Sequence, residues 1–152
     1  MAKKRTHVEL LGPAGSMEAF EAALNYGADA IYLGASDLNA RNEKAQFKEE
    51  DLPELVRRAS EKGVKIYLTL NILLYDSELE KALNLARQAM EAGVSAFIVQ
   101  DRGLISILRQ ELPSMPIHAS TQTTCGTKEG ILAYRKLGCS RVVLPRELSL
   151  EE

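Results

Sequence analysis

The residues of this chain that are able to do chemistry stand just after its short apolar runs. Hydroxyl, amide, imidazole and charged side chains follow these runs one after another along the sequence. In a fold that alternates strands and helices, the strand exits converge on one edge of the sheet, where ligands bind. The candidates that this placement gives are Asn39, Arg41, Asn71, Gln100, Asp101, His118, Ser120, Gln122, Arg146 and Glu147.

We divide these candidates by the chemistry that their side chains support. Imidazole, carboxylate and strand-tip amide groups suit proton transfer or the orientation of a reacting group. The predicted catalytic residues are therefore His118, Asn71, Gln100, Asp101 and Glu147. Hydroxyl and amide groups suit hydrogen bonds to a substrate, and arginines suit its anionic groups. The predicted substrate-binding residues are Asn39, Arg41, Ser120, Gln122 and Arg146.

Several polar residues at the strand exits also have a purely structural explanation, which stays open. Ser16 and Asp101 stand directly before predicted helices, where a side chain that caps the helix is favoured. His118 is equally consistent with a neutral imidazole that bonds to a neighbouring loop. Arg146 and Glu147 could form an ion pair with each other or with side chains across the mouth of the site. Because they are adjacent in sequence, their side chains could instead point in different directions.

Two classes of mechanism lack the residues that they need. No lysine stands at a strand exit, since Lys65 opens its strand, and a Schiff-base mechanism therefore has no evident nucleophile. His7 and His118 give no metal-binding spacing. The chain has two cysteines, Cys125 and Cys139, and they form no C-x-x-C pair, which favours a reducing compartment. We expect both cysteines to be buried or half-buried as small apolar residues.

The elements that must position the candidates alternate along the whole chain. Apolar runs of strand length, such as "ADAIYLG" and "VSAFIVQD", alternate with stretches such as "DSELEKALNLARQAMEAG", whose apolar residues recur at helical spacing. Helix patterns end at glycine in "NYG", "EKG", "EAG" and "KLG", and each leads directly into the next apolar run. Strands that are apolar throughout are typical of a parallel sheet covered by helices.

This alternation predicts an α/β fold with about six βα units in sequence order. Either a (β/α) barrel or an open doubly wound sheet satisfies it. The barrel is favoured because no G-x-G-x-x-G turn follows the first strand and because polar residues follow every strand. A full barrel takes about eight units. We therefore expect an incomplete, TIM-barrel-like domain formed by residues 1–152 as a single unit.

Composition and charge limit the partners of the chain. A formal net charge of −2 gives no overall attraction to nucleic acid and leaves only a local basic patch for that purpose. The first apolar run is too short for a signal peptide or a membrane span, so we expect a cytoplasmic protein without membrane contact. Open edges of an incomplete barrel are templates for further strands. We therefore expect a homo-oligomer, or a partner chain that completes the sheet.

Six stretches of the chain, taken in order, form a recognisable set: "LLGPAGSMEAFEAALNYGADAIYLG", "LNAR", "KIYLTLNILLYDSELE", "FIVQDRG", "PIHASTQ" and "RVVLPRELSLEE". Together they closely resemble the N-terminal part of the collagenase-like peptidases, peptidase family U32. The resemblance implies a TIM-barrel-like domain at the start of a longer architecture. It also implies an enzyme family first labelled as proteases, with members that act in RNA or quinone hydroxylation, use an iron–sulfur cluster and in some cases take oxygen from prephenate.

What the resemblance implies for this chain is the barrel portion of an enzyme of tRNA or rRNA base hydroxylation, with RNA or a small anionic molecule as substrate. The cluster cysteines of the family follow its "RELSLEE" region and have no counterpart here, so we expect no cofactor and no metal in this chain. Two alternatives stay open. One is a true peptidase, for which Ser120, His118 and Asp101 can be drawn as a triad, although Ser120 lacks the context of a nucleophile elbow. The other is a non-catalytic fragment that serves as an assembly module, and whether the chain is active alone also stays open.

Overall fold

The computed structural model describes residues 8–35, 38–40 and 47–149, which form six parallel strands and five α-helices in alternation. The strands are β1 (Leu11–Pro13), β2 (Ala30–Leu33), β3 (Lys65–Leu70), β4 (Ala96–Val99), β5 (Ile117–Ala119) and β6 (Arg141–Val142). The helices are α1 (Met17–Asn25), α2 (Leu52–Glu61), α3 (Leu79–Glu91), α4 (Arg102–Glu111) and α5 (Lys128–Lys136). Short 3-10 helices lie at Glu49–Asp51, Asp76–Glu78 and Thr121–Thr123.

The sheet follows the order of the sequence. Its strands lie in the order β1-β2-β3-β4-β5-β6, and every neighbouring pair is parallel. A doubly wound sheet reverses its strand order at a switch point, whereas a barrel does not. The prediction of an incomplete TIM-barrel-like fold with six βα units is therefore confirmed. The sheet is a half-barrel with β1 and β6 at its two edges.

Apolar side chains cover both faces of the sheet. Between the sheet and the helices lies the larger core, which includes the fully buried Phe20 of α1, Leu55 of α2, Phe97 of β4 and Leu104 of α4. A smaller cluster lies on the opposite, interior face, because successive strand residues point to alternate sides. Its buried members are Ala30, Tyr67, Ala96 and Ile98. Burial on both faces explains why the strands are apolar throughout.

Four helices end through a glycine, as the sequence predicts. The backbone angle φ is positive at Gly27, Gly63, Gly93 and Gly138, a conformation that a Cβ disfavours. After α2, for example, the Gly63 N–H donates to the carbonyl of Ser60, and the Val64 N–H donates to that of Ala59, each at 2.9 Å. This pair of bonds satisfies carbonyls that the helix end would leave open. The chain then turns directly into the next strand.

A cluster of charged and polar side chains lies at the amino ends of the strands and joins the two edges of the half-barrel. Glu9, just before β1, accepts hydrogen bonds from Arg141 Nη1 of β6 at 2.7 Å, and from Lys65 Nζ and Tyr67 Oη of β3 at 2.9 Å each. Burial alone would raise the pKa of Glu9, but these hydrogen bonds lower it to about 2. We call these four residues the interior polar cluster. Because it connects β1 to β6, the sheet must curve until its edges approach each other.

Candidate functional site

A cavity of about 440 Å³ lies at the carboxyl ends of the strands. Small-molecule sites commonly measure about 300–1,000 Å³, and in barrels they occupy this end of the sheet. Several strand exits and the loop segment 38–40 contribute to its wall. The lining residues are Ala14, Gly15, Tyr32, Leu33, Gly34, Asn39, Ala40, Phe47, Thr69, Asn71, Thr121, Gln122, Thr124, Pro145, Arg146 and Glu147.

The two asparagines that the sequence predicts as site residues both line this cavity. Asn39 is 5% exposed, and its carboxamide rests on Gly34 so closely that a Cβ added there would lie 2.4 Å from Asn39 Cγ. Glycine is needed at position 34 because the asparagine occupies the space of a side chain. Asn71 Oδ1 accepts a hydrogen bond from the Ala40 N–H at 3.1 Å. That bond ties the exit of β3 to the loop after β2.

Charged groups lie at exposed positions in the wall. Arg146 and Glu147, together with Gln122, are exposed and line the cavity. Within the described part of the chain, neither Arg146 nor Glu147 forms an ion pair. As far as the described residues are concerned, the guanidinium is open to an anionic group of a ligand, and the carboxylate to an N–H donor.

Gln100, Asp101 and Ser120 lie beside the cavity and shape its loops. Gln100 Nε2 donates to the carbonyl of Gln122 at 3.3 Å. Ser120 is 1% exposed and its hydroxyl accepts from the Gln122 N–H at 3.2 Å. Asp101 Oδ1 accepts from the Leu104 N–H at 2.8 Å and caps α4. These contacts account for the three side chains structurally, and their predicted catalytic or binding roles stay predictions.

His118 lies on the interior face of the sheet and is not part of the cavity wall. Strand register places it level with Thr69, which does line the cavity. The imidazole is 5% exposed and packs edge-on against the ring of Tyr67, with 4.9 Å between ring centroids. Burial, and secondly the positive charge of Arg141, lower the pKa of His118 to about 4. At neutral pH the imidazole is uncharged, with one nitrogen that donates and one that accepts. Its predicted catalytic role stays a prediction.

The structure gives no activated nucleophile of the serine-hydrolase kind among the residues it describes. Ser120, His118 and Asp101 are not joined by hydrogen bonds within the described ranges, and the hydroxyl and carboxylate are both engaged with backbone N–H groups. Ser16 likewise caps α1, with its hydroxyl accepting from the Ala19 N–H at 3.1 Å. A triad depends on a hydrogen bond between nucleophile and base. The geometry therefore does not favour a peptidase of this type.

Some residues of the wall escaped prediction from the sequence. Tyr32 and Thr69 stand one residue before the ends of β2 and β3 and line the cavity. The signal for them was the alternation of side chains along a strand, which sends the penultimate residue to the interior face. Thr121 stands between two residues that were predicted. Arg41 lies outside the described residues, although Ala40 beside it lines the cavity.

The described residues contain neither a metal-binding group nor a membrane span. No group of three or more metal-ligating side chains occurs among residues 8–35, 38–40 and 47–149, and no helix there is long and apolar enough to cross a membrane. Cys125 and Cys139 are both buried, and burial raises the pKa of the Cys139 thiol, which disfavours the thiolate that a metal requires. An iron–sulfur cluster needs a full set of cysteine thiolates. The residues of this chain do not fit such a cluster.

Together, the sequential parallel sheet and the polar cavity at its strand exits define a TIM-barrel-like domain with a candidate binding site. The family model for "Peptidase family U32" matches residues 15–152, and the chain belongs to that family. A solved structure of the U32 peptidase Mk0906 has the same fold, with a TM-score of 0.73 at 15% identity, over 95% of this chain and 61% of that one.

Relatives with known names divide between RNA modification and proteolysis. The chain is 39% identical over 145 residues to the 23S rRNA 5-hydroxycytidine synthase of Escherichia coli, and 36% identical over 144 residues to tRNA hydroxylation protein P of the same species. It is 33% identical over 145 residues to the collagenase of Porphyromonas gingivalis. These alignments cover 95% of this chain but 22%, 32% and 34% of the three relatives. The chain thus spans about a third or less of the length of the relatives it matches.

Proposed function

We propose that this chain is the base-binding part of an RNA-hydroxylating protein, and that the cavity at the strand exits receives one pyrimidine nucleotide of an RNA. The observation that carries this proposal is the wall of that cavity. It combines amides with a guanidinium and a carboxylate that form no ion pair with any described residue. Two relatives of the chain are named for tRNA hydroxylation and for hydroxycytidine synthesis in rRNA.

The dimensions of the cavity support a single nucleotide. A volume of about 440 Å³ admits one nucleotide but not a stacked helix. Enzymes that modify a base take it out of its stack or act on single strands, so one extruded base is the form that reaches such a site. Tyr32, which is half-buried, places an aromatic residue in the wall, where a base can stack.

The charges in the wall support an RNA ligand as well. Arg146 offers a bidentate donor pair that suits a phosphate or another anionic group. Asn71 and Gln122 offer amide groups that suit the edge of a base, which carries both donors and acceptors.

The part we assign to this chain is binding and orientation. Hydroxylation converts a C–H bond of the base into a C–O bond, which needs an oxygen donor and the removal of two electrons from the base. The wall residues offer hydrogen bonds, charge and stacking surfaces, which hold a base in place. Because tRNA and rRNA are found in the cytoplasm, we place the protein in the cytoplasm.

RNA from cells that lack the gene tests this function. The gene is deleted in the organism of origin, total RNA is digested to nucleosides, and the products are compared by mass spectrometry. We expect one pyrimidine nucleoside, heavier than its parent by one oxygen atom, to disappear on deletion and to return with the wild-type gene. Arg146→Ala should restore it poorly. Arg135→Ala, the same change at an exposed position of α5, should restore it fully. Unchanged nucleosides after deletion would contradict the proposal.

A further inference from the structure

The orientation of the Asn71 carboxamide is fixed by its contact with the backbone. Asn71 Oδ1 lies 3.1 Å from the backbone nitrogen of Ala40, whose hydrogen it accepts. Only the oxygen of a carboxamide accepts and only its nitrogen donates, so this bond decides which end of the side chain is which. The Nδ2 end, with its two N–H donors, is therefore directed away from Ala40.

No other described residue accepts a hydrogen bond from Asn71 Nδ2. Asn71 is half-buried and lines the cavity, as does Ala40. A half-buried donor that has no acceptor among the described residues favours an acceptor supplied by a ligand. Glu147, in the same wall, presents an acceptor. The wall thus offers both a donor and an acceptor, the two kinds of partner that the edge of a pyrimidine needs.

We propose that Asn71 binds and orients the base, by donating from Nδ2 to a carbonyl oxygen of the bound pyrimidine. This inference rests on the function proposed above, since it assumes a nucleotide in the cavity. If the base carried an amino group in place of that carbonyl oxygen, its N–H groups would meet the N–H groups of Asn71, and donors on both sides would lack acceptors. A site built around a hydrogen bond strongly rejects such a base. Uracil and cytosine share the oxygen at position 2 and differ at position 4. The oxygen that meets Asn71 therefore decides whether the site tells the two bases apart.

Asn71→Asp tests the proposal with little change of shape. The variant keeps one oxygen for the Ala40 N–H and replaces both donors with a second acceptor. The full chain is titrated with uridine 5′-monophosphate and with cytidine 5′-monophosphate, and the affinities are read from chemical shift changes. For the preferred nucleotide we expect the variant to bind at least about tenfold more weakly than the wild type.

Asn25→Asp is the matched control. Asn25 is exposed at the end of α1, outside the cavity, and its Oδ1 is also engaged, here by Lys62 Nζ at 2.6 Å. The chemical change and the added charge are the same as at position 71. We expect the affinity of Asn25→Asp for both nucleotides to equal that of the wild type.

Sulfur-substituted nucleotides test the contact without mutation of the protein. Sulfur is a weaker hydrogen-bond acceptor than oxygen. The analogues are 2-thiouridine and 4-thiouridine 5′-monophosphate, and their parent is uridine 5′-monophosphate. The wild type should bind one of the two analogues several-fold more weakly than it binds the parent. Asn71→Asp, which lacks the donor, should bind that analogue no more weakly than it binds the parent. If both analogues bind the wild type like the parent, or if Asn71→Asp binds like the wild type, the assignment of Asn71 is overturned while nucleotide binding stands. If the wild type binds no nucleotide, both this inference and the proposed function fail.

Discussion

His118 shows how the interior of the half-barrel controls the charge of one side chain. The imidazole packs on the ring of Tyr67 and is near the charges of Arg141, Lys65 and Glu9. Burial has the largest effect on its pKa, and Arg141 and Lys65 lower the pKa further, whereas Glu9 opposes them. The result is a pKa of about 4, so the imidazole is uncharged near neutral pH.

We predict that the protonation of His118 destabilises the fold between about pH 6.5 and pH 4. The unfolded chain takes up this proton near the ordinary pKa of 6.5 and the folded chain only near 4, so the unfolded state binds more protons in this window. The free energy of unfolding should therefore fall as the pH drops through it, by about 3 kcal/mol in all. Chemical denaturation at a series of pH values measures the slope.

The variant His118→Gln assigns that slope to one residue. It removes the titrating group, so the free energy of unfolding should vary less between pH 6.5 and pH 4 than in the wild type. The carboxylate of Glu9, with a pKa of about 2 against an ordinary 4.5, loses its stabilising contribution only as the pH falls below about 4.5. The two windows barely overlap. An equally steep slope in the variant would contradict the assignment.

The predicted site residues show what the sequence can and cannot specify for a single side chain. Asn39, Asn71, Gln122, Arg146 and Glu147 were predicted and lie in the cavity wall, because parallel strands bring their carboxyl ends together. His118 also stands at a strand exit in the sequence. How deep such a residue lies depends on the register between neighbouring strands, and no single strand carries that information.

At the scale of elements, the loop after β2 depends on one close approach. Gly34 directly follows β2, and the Asn39 side chain packs against it from the same loop. The side chain is buried in this position, so it has little space to move aside. The loop therefore fixes a polar group in the cavity wall at the cost of tolerating only glycine at position 34.

We predict that Gly34→Ala displaces Asn39 and weakens nucleotide binding. The added methyl group would overlap the carboxamide, and overpacking of this kind costs about 1–3 kcal/mol in the free energy of unfolding. Gly15→Ala is the matched control, because Gly15 lines the same cavity and an added Cβ there meets nothing within 4 Å. Thermal unfolding and nucleotide titration compare the two. Equal behaviour of both variants would show that Asn39 has another place to go.

Helix ends and loop contacts differ in how far the sequence predicts them. The glycines at positions 27, 63, 93 and 138 were correctly predicted to end helices, since a positive φ is a local property of the glycine itself. The contact between Gly34 and Asn39, and that between Asn71 and Ala40, were not predicted. Both depend on the path of a loop in three dimensions, which has no sequence period.

At the scale of the whole molecule, the order of the strands distinguishes the two architectures that the sequence allowed. Alternating strands and helices fit either a barrel or a doubly wound sheet, and the sequence favoured the barrel only through its strand exits and the missing G-x-G-x-x-G turn. Which of the two folds forms depends on which strands pair, and the sequence of a single strand does not specify its partner. The sequential order from β1 to β6 settles it and leaves two edges, each paired on one side within the described residues.

We propose that these edges associate with a second copy of the chain. Exposed apolar side chains flank them: Val8 and Leu10 are 83% and 57% exposed beside β1, and Leu144 is 50% exposed after β6. Unpaired edges with apolar neighbours are templates for further strands. Light scattering over a range of concentrations should show a species larger than the monomer.

A charge on the edge tests the same proposal, since charged side chains keep sheet edges apart. Leu10→Lys should shift the equilibrium toward monomer. Tyr26→Lys, at an 87% exposed position at the end of α1, should not. A wild-type chain that stays monomeric at high concentration would contradict association through the edges.

The interior polar cluster changes how the βα units depend on one another. Among the described residues, each strand pairs only with the strands next to it in sequence order. Without further contacts the half-barrel would therefore behave as a linear array whose first and last units fray independently. The hydrogen bond between Glu9 and Arg141 joins residues 132 positions apart, one beside each end of that array. It forms only when every unit between them is in place, and closing so long a loop carries its own entropic cost. Local unfolding of either terminal unit therefore breaks this contact and destabilises the other terminal unit. The unfolding of the two ends is thereby coupled.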